Sequence, residues 1–180
     1  MVNAAELARN PELARSSVVV VAQPGFKPGQ NSGFFWAENH ADISPGFRRA
    51  GFNVQSLLDQ AISGALMSKH YAFKAAQGEL RVRYHLSLHT EMDDTALAMQ
   101  YGLAPGLRAN SELAKKFQRG TLVVDFIQPS SQGVVWRGAI SVFIGLEDTD
   151  TGREKRVAAV VNELFSSIPE IKSAAHGQAH

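Results

Sequence analysis

His85 and His89, four residues apart and preceded by Arg81 and Arg83, have the types and spacing that come nearest to chemistry in this 180-residue chain. Imidazole titrates near neutrality and ligates metals. On a helix, a spacing of four would bring both rings to one turn and one ion. The surrounding sequence argues for a strand instead. From Glu79 to Glu91 the residues alternate, with Leu80, Val82, Tyr84, Leu86 and Leu88 on one side and Arg81, Arg83, His85, Ser87 and His89 on the other. That period of two is a long strand with one wet face. On a strand the two imidazoles stand about 13 Å apart, too far to share an ion, so no metal site is expected unless His70 or Glu91 joins one of them. A ligand site here would use Arg81, Arg83, His85 and His89; the plainer reading is a basic stripe that keeps the face soluble.

Other constellations have plain structural readings. No Gly-x-Ser-x-Gly elbow occurs, so the strained nucleophile turn of a hydrolase is not indicated. Pro24-Gly25-Phe26-Lys27-Pro28-Gly29 has glycines and a lysine, but a phosphate cradle needs free N–H groups leading into a helix, and Pro28 removes one. Asp93-Asp94 and Glu147-Asp148-Thr149-Asp150 lack the alternating oxygen ligands of a calcium loop and read as turns. His176 and His180 fall in the tail. With no cysteine, disulfides, thiolate metal sites and a cysteine nucleophile are excluded. No catalytic residue and no cofactor motif is recognised.

The elements that must position these residues follow from periodicity. The composition, 44% hydrophobic and 19% charged, belongs to a globular chain. A net charge of +1 gives no field favouring nucleic acid. The longest purely apolar run, Val18 to Ala22, cannot span a bilayer. Asn3 to Arg15 reads as a polar helix or arm with a capping box. Ser16 to Gln23, with four consecutive valines, suggests a strand buried on both faces, Phe34-Phe35-Trp36 a short second strand, and His40 to Gly46 a turn. Val54, Leu57, Leu58, Ala61, Ile62, Ala65 and Leu66 predict a helix over 53–69, and a last helix begins near Thr151, shows Val157, Val160, Val161, Leu164, Phe165 and Ile168 on one face and is ended by Pro169. Residues 120–127 and 134–146 form a hairpin around Gln128 to Gly133. Met92 to Gln118 is a long connection, of the kind that is usually mobile or functional. The expected fold is α+β: a mainly antiparallel sheet of about four to five strands with two amphipathic helices packed on one face. The expected organisation is an N-terminal arm over 1–15, a single domain over 16–170 and a flexible tail over 171–180.

The hairpin carries a resemblance. Gly120-Thr121-Leu122-Val123-Val124-Asp125-Phe126-Ile127, followed by Val134-Val135-Trp136-Arg137-Gly138-Ala139, resembles the hallmark of a bacterial family, domain of unknown function 4136. The early strand ending in Phe35-Trp36, the helix closing near Lys69-His70-Tyr71 and the final helix before Pro169 recur in the same order. Within the hairpin, Trp136 is expected to bury its ring, Gly138 to permit close approach, and Asp125 to pair with Arg137 across strands. The resemblance implies a small envelope lipoprotein of unassigned activity, anchored through a lipidated N-terminal cysteine that the residues given do not contain. It implies the periplasmic side of the envelope; a native start at Met1 would imply the cytoplasm.

Taken together, the sequence suggests a non-enzymatic binding or scaffold domain. Its partner would be a protein or envelope component, contacted through an exposed sheet face or the 92–118 connection. The alternative is a small-ligand or metal-binding protein, or an enzyme, that uses the polar face of strand 79–91. A third reading is a cytoplasmic subunit that assembles through its sheet edges.

Overall fold

Each longer helix begins on a side chain that takes up one of its free N–H groups. Asn53 accepts from the Ser56 N–H at 3.0 Å and opens α2 (Val54–Ser68), and Thr149 accepts from the Gly152 N–H at 2.9 Å and opens α5 (Asp150–Leu164). A short α1 (Pro45–Arg48) precedes α2, and between the two long helices α3 (Asp94–Tyr101) and α4 (Ser111–Lys116) are capped by Asp93 and Asn110. Asp93 is thereby accounted for as a helix cap. The computed structural model describes residues 11–27, 33–48, 50–74, 80–147 and 149–171.

The strands are β1 (Ser16–Ala22), β2 (Gly33–Ile43), β3 (Ala72–Phe73), β4 (Leu80–Leu88), β5 (Arg119–Gln128) and β6 (Gly133–Phe143). They form one sheet in the order β1-β6-β5-β4-β2-β3. The pairings β1–β6, β6–β5 and β5–β4 are antiparallel, whereas β4–β2 and β2–β3 are parallel. The α+β class holds, but the sheet has six strands and is mixed. Parallel neighbours need a crossover, and α2 supplies it between β2 and β4.

α2 and α5 pack together on one face of the sheet. Ile62 and Leu66 of α2 and Val161 and Leu164 of α5 meet Val82, Val124 and Ile140 in the main core. Trp136 is 2% exposed, stacks on Phe126 at 4.8 Å and meets Phe165 edge-on at 5.7 Å. A Cβ on Gly138 would stand 2.4 Å from the Trp136 ring and 2.9 Å from Leu164, so the bare glycine is what lets the indole lie flat.

The other face is covered as well, which the alternation of β4 did not reveal. The 92–118 connection lies across it, with Leu97 and Leu103 packed on Val123 and Ala139, and Leu107 and Leu113 near Phe143. Arg119 donates to the Leu107 carbonyl at 2.6 Å, and the Ser17 hydroxyl donates to that of Pro105. His85 and Ser87 are consequently 9% and 1% exposed; this half of the face is a second interior, not a solvated surface.

Three local expectations are also corrected. β1 is an edge strand with Val18 36% and Val21 57% exposed; four valines stabilise a strand without reporting how many neighbours it has. β2 runs on to Ile43, past the expected turn, through an irregularity between Trp36 and Ala41 at which Asn39 takes φ 53°. Ile171, assigned to the tail, is buried and its N–H donates to the Lys69 carbonyl at 2.9 Å. Most of the N-terminal arm, the tail from 172 and Pro28-Gly29 of the loop lie outside the described residues; Pro11–Ala14 is a 3-10 turn that buries Leu13.

Gly138→Ala should therefore cost about 1–3 kcal/mol, the usual penalty for overpacking a filled core. A urea titration followed by tryptophan fluorescence measures it, and an unchanged midpoint would show that the indole has room to move.

Candidate polar cleft

Strand register places charge on the covered face in one row. Arg83 of β4 stands opposite Asp125 of β5, and Asp125 stands opposite Arg137 of β6. Arg83 donates from Nε to Asp125 Oδ2 at 3.0 Å, while Arg137 donates from Nε to Oδ1 at 2.5 Å and from Nη2 to Oδ2 at 2.8 Å. The Asp125 side chain is only 3% exposed, and burying a carboxylate costs several kcal/mol unless it is paired and hydrogen-bonded. The two-pronged contact from Arg137 is the strong planar form of such a pair.

The two arginines are held differently. Arg137 also donates from Nη1 to the Tyr101 carbonyl at 2.9 Å, and its guanidinium lies 5.2 Å from the Tyr101 ring centre. Its hydrogen bond to Asp125 raises its pKa further, against the opposing effect of burial. Arg83 is 49% exposed and donates only through Nε among the described residues. Its terminal nitrogens are thus the donors open to a ligand.

One row further on, His85 Nδ1 lies 2.9 Å from Asp42 Oδ2, and its ring sits 5.4 Å from that of Tyr101. Its Nε2 is buried without a partner among the described residues. Among the described residues no serine or threonine hydroxyl is hydrogen-bonded to this imidazole. Around Arg83, His85, Asp125 and Arg137 opens a cleft of about 400 Å³, walled by Asn39, His40 and Asp42 of β2 and by Gln100 and Tyr101 of α3. The irregularity in β2 shapes the first wall and the Gly102 turn, at φ 75°, ends the second.

Of the residues expected to form a site, Arg83 and His85 share this cleft. Arg81 lies outside it, 5.5 Å from the Phe35 ring centre and 3.4 Å from Gln132. His89 follows the last residue of β4, and its N–H donates to the Arg119 carbonyl at 2.9 Å. Asp125 and Arg137, read from the sequence as a structural pair of the hairpin, belong to the cleft too. Asp42 and Tyr101 were missed; both lie far from β4 in sequence, and neither sits in a motif. Among the described residues no three His, Asp or Glu converge as a metal site would require.

The family described as Domain of unknown function (DUF4136) matches residues 24–170. No curated protein matches the chain in sequence. Among solved structures, the PelC dodecamer of Paraburkholderia phytofirmans is similar in fold in two crystal forms. Each has a TM-score of 0.52, at 9% and 7% identity, with 83% and 84% of this chain and 96% of that chain covered. A PDZ domain protein of Parabacteroides distasonis aligns with a TM-score of 0.49 at 12% identity over 93% of this chain and 40% of that one.

Asp125→Ala should cost about 3 kcal/mol, near the lower end for breaking a buried pair, because half-exposed Arg83 can turn to water while Arg137, only 20% exposed, has less room to do so. Arg83→Gln should cost under about 1 kcal/mol. Chemical denaturation of both variants checks the contrast; equal losses would show that Arg83 carries the fold.

Burial pushes the Tyr101 phenol up to about 12, with smaller contributions from Asp42 and Asp125, and burial alone takes Tyr71 to about 12. Tyr84 is raised by burial and by its hydrogen bond to Asp59. A phenol whose folded pKa is raised stabilises the fold below its unfolded value near 10, and that contribution is lost as pH climbs towards 12. Ultraviolet titration should show all three tyrosines ionising together with alkaline unfolding; a reversible step near pH 10 in folded protein would contradict this.

Proposed function

The chain belongs to the DUF4136 family, and from that premise we propose that it is a binding domain whose cleft takes a small carboxylate-bearing molecule, with Arg83 as its anchor. The observation that carries this reading is the unequal use of the two guanidiniums. Asp125 commits Arg137 fully and Arg83 in part, so two cations share one carboxylate and the half-exposed one keeps donors to spare. A guanidinium held flat by its own Nε bond is preorganised for a second planar carboxylate. Asp42, 67% exposed at the rim, disfavours a multiply charged ligand such as a phosphate. Tyr101 and Gln100 offer a ring face and an amide for the rest of the molecule.

Binding replaces the solvated-stripe reading because the cover over β4 leaves this face a cleft and no longer an open surface. We place the domain at the cell envelope, on the likeness of its hairpin to small envelope lipoproteins. A scaffold role is the second reading. β1 is an edge strand with Val18 and Val21 exposed, a template for another chain, and the fold is shared with a protein that forms a dodecamer.

Thermal-shift screening of small polar carboxylates beside their amides tests the cleft. Acids should stabilise the protein, amides should not, and Arg83→Gln should abolish the effect. Stabilisation that survives Arg83→Gln would sink the proposal. Recovery of the native protein solely from the cytoplasm of fractionated cells would remove the envelope assignment.

A further inference from the structure

On the opposite face of the sheet, between it and the first turns of α2 and α5, opens an apolar cavity of about 170 Å³ lined by Leu57, Leu122, Ile140, Val157 and Val160 among others. It opens to the surface yet reaches the main core at Leu58, Leu122 and Ile140, and a contiguous apolar opening of this kind is a feature to be explained. Its rim is charged. Arg153 and Arg156 of α5 line it together with Glu147 and Phe52.

These arginines are poorly satisfied. Their side chains are 24% and 27% exposed. Arg153 Nε, Arg156 Nε and Arg156 Nη2 are buried and hydrogen-bonded to nothing among the described residues. Arg153 spends one nitrogen on Asp150 at 2.5 Å and lies 4.6 Å from the Phe52 ring centre. Arg156 reaches Glu147 only at 3.7 Å, beyond hydrogen-bond length. Burial raises the Glu147 pKa, and the nearby Arg156 and Arg153 lower it in turn. Buried donors without acceptors are costly, and three of them gather at the mouth of an apolar pocket.

We propose that this cavity is a second binding site, for a medium-chain carboxylate whose head sits between Arg153 and Arg156 and whose tail fills the apolar space. The carboxylate supplies acceptors to the unpaired N–H groups, and the tail removes the void. Size sets the tail length. A dry apolar cavity of about 150 Å³ holds benzene, so this one takes about six carbons and excludes most of a long acyl chain. The site is separate from the polar cleft, from which the sheet divides it, and it requires an apolar tail where the cleft does not.

Calorimetric titration of the full chain with hexanoate, and with 1-hexanol as the uncharged match, tests the site. Hexanoate should bind at millimolar or lower concentration. Arg156→Gln should weaken it at least about tenfold, as expected for losing a charge-assisted hydrogen bond, and leave hexanol unchanged. Val160→Phe should block both, whereas Arg83→Gln should alter neither, which separates this site from the cleft. Should Arg156→Gln lower the melting temperature, Arg153→Gln serves in its place. Absence of hexanoate binding to the unaltered protein, or binding indifferent to the arginine changes, would overturn the proposal.

Discussion

A carboxylate buried as deeply as Asp125 is costly to the fold unless cations stay within hydrogen-bond reach. Much of the covered face follows from that requirement. Arg83 and Arg137 must face Asp125 from the strands on either side, so β4, β5 and β6 are fixed in one register; a slip of one strand by one residue would carry its charge into the hydrophobic core beneath α2 and α5. Arg137, once committed to Asp125, has a donor left for the Tyr101 carbonyl and a face for its ring. The end of α3 is thereby tied down over the sheet.

The same arrangement explains why the 92–118 connection is ordered as a cover. It is held by apolar contacts of Leu97 and Leu103 with Val123 and Ala139, and by polar contacts from Arg119 and Arg137 to its carbonyl groups. A sheet covered on both faces gains two interiors that differ in chemistry. Beneath the connection apolar clusters lie beside a charged row that leaves a cleft around Arg83; beneath the long helices the interior is apolar and leaves a cavity rimmed by Arg153 and Arg156.

The long helices and the 120–143 hairpin were legible in the sequence, because Leu58, Ile62, Ala65 and Leu66 repeat with the helical period and Gln128 to Gly133 punctuates two β-rich runs. Trp136 and Gly138 could be assigned their packing roles from residue type alone. What escaped was whatever depended on neighbours distant in sequence. Alternation along β4 correctly separated polar from apolar residues but could not report that α3 would cover the polar ones. The valines of β1 read alike at an edge or a centre, and the irregularity in β2 rests on Asn39, an ordinary-looking residue that tolerates positive φ. Half of the cleft was therefore visible as Arg83 and His85, while Asp42 and Tyr101 reach it only through the tertiary fold.

The most direct test observes the two guanidiniums separately, by nitrogen-15 NMR of the arginine side-chain Nε–H groups while a small polar carboxylate is added. If Arg83 is the open anchor and Arg137 the committed one, the Arg83 signal moves in a saturable way and the Arg137 signal, protected from solvent exchange, stays in place. A still Arg83, or both signals moving alike, would contradict the division of labour that Asp125 imposes.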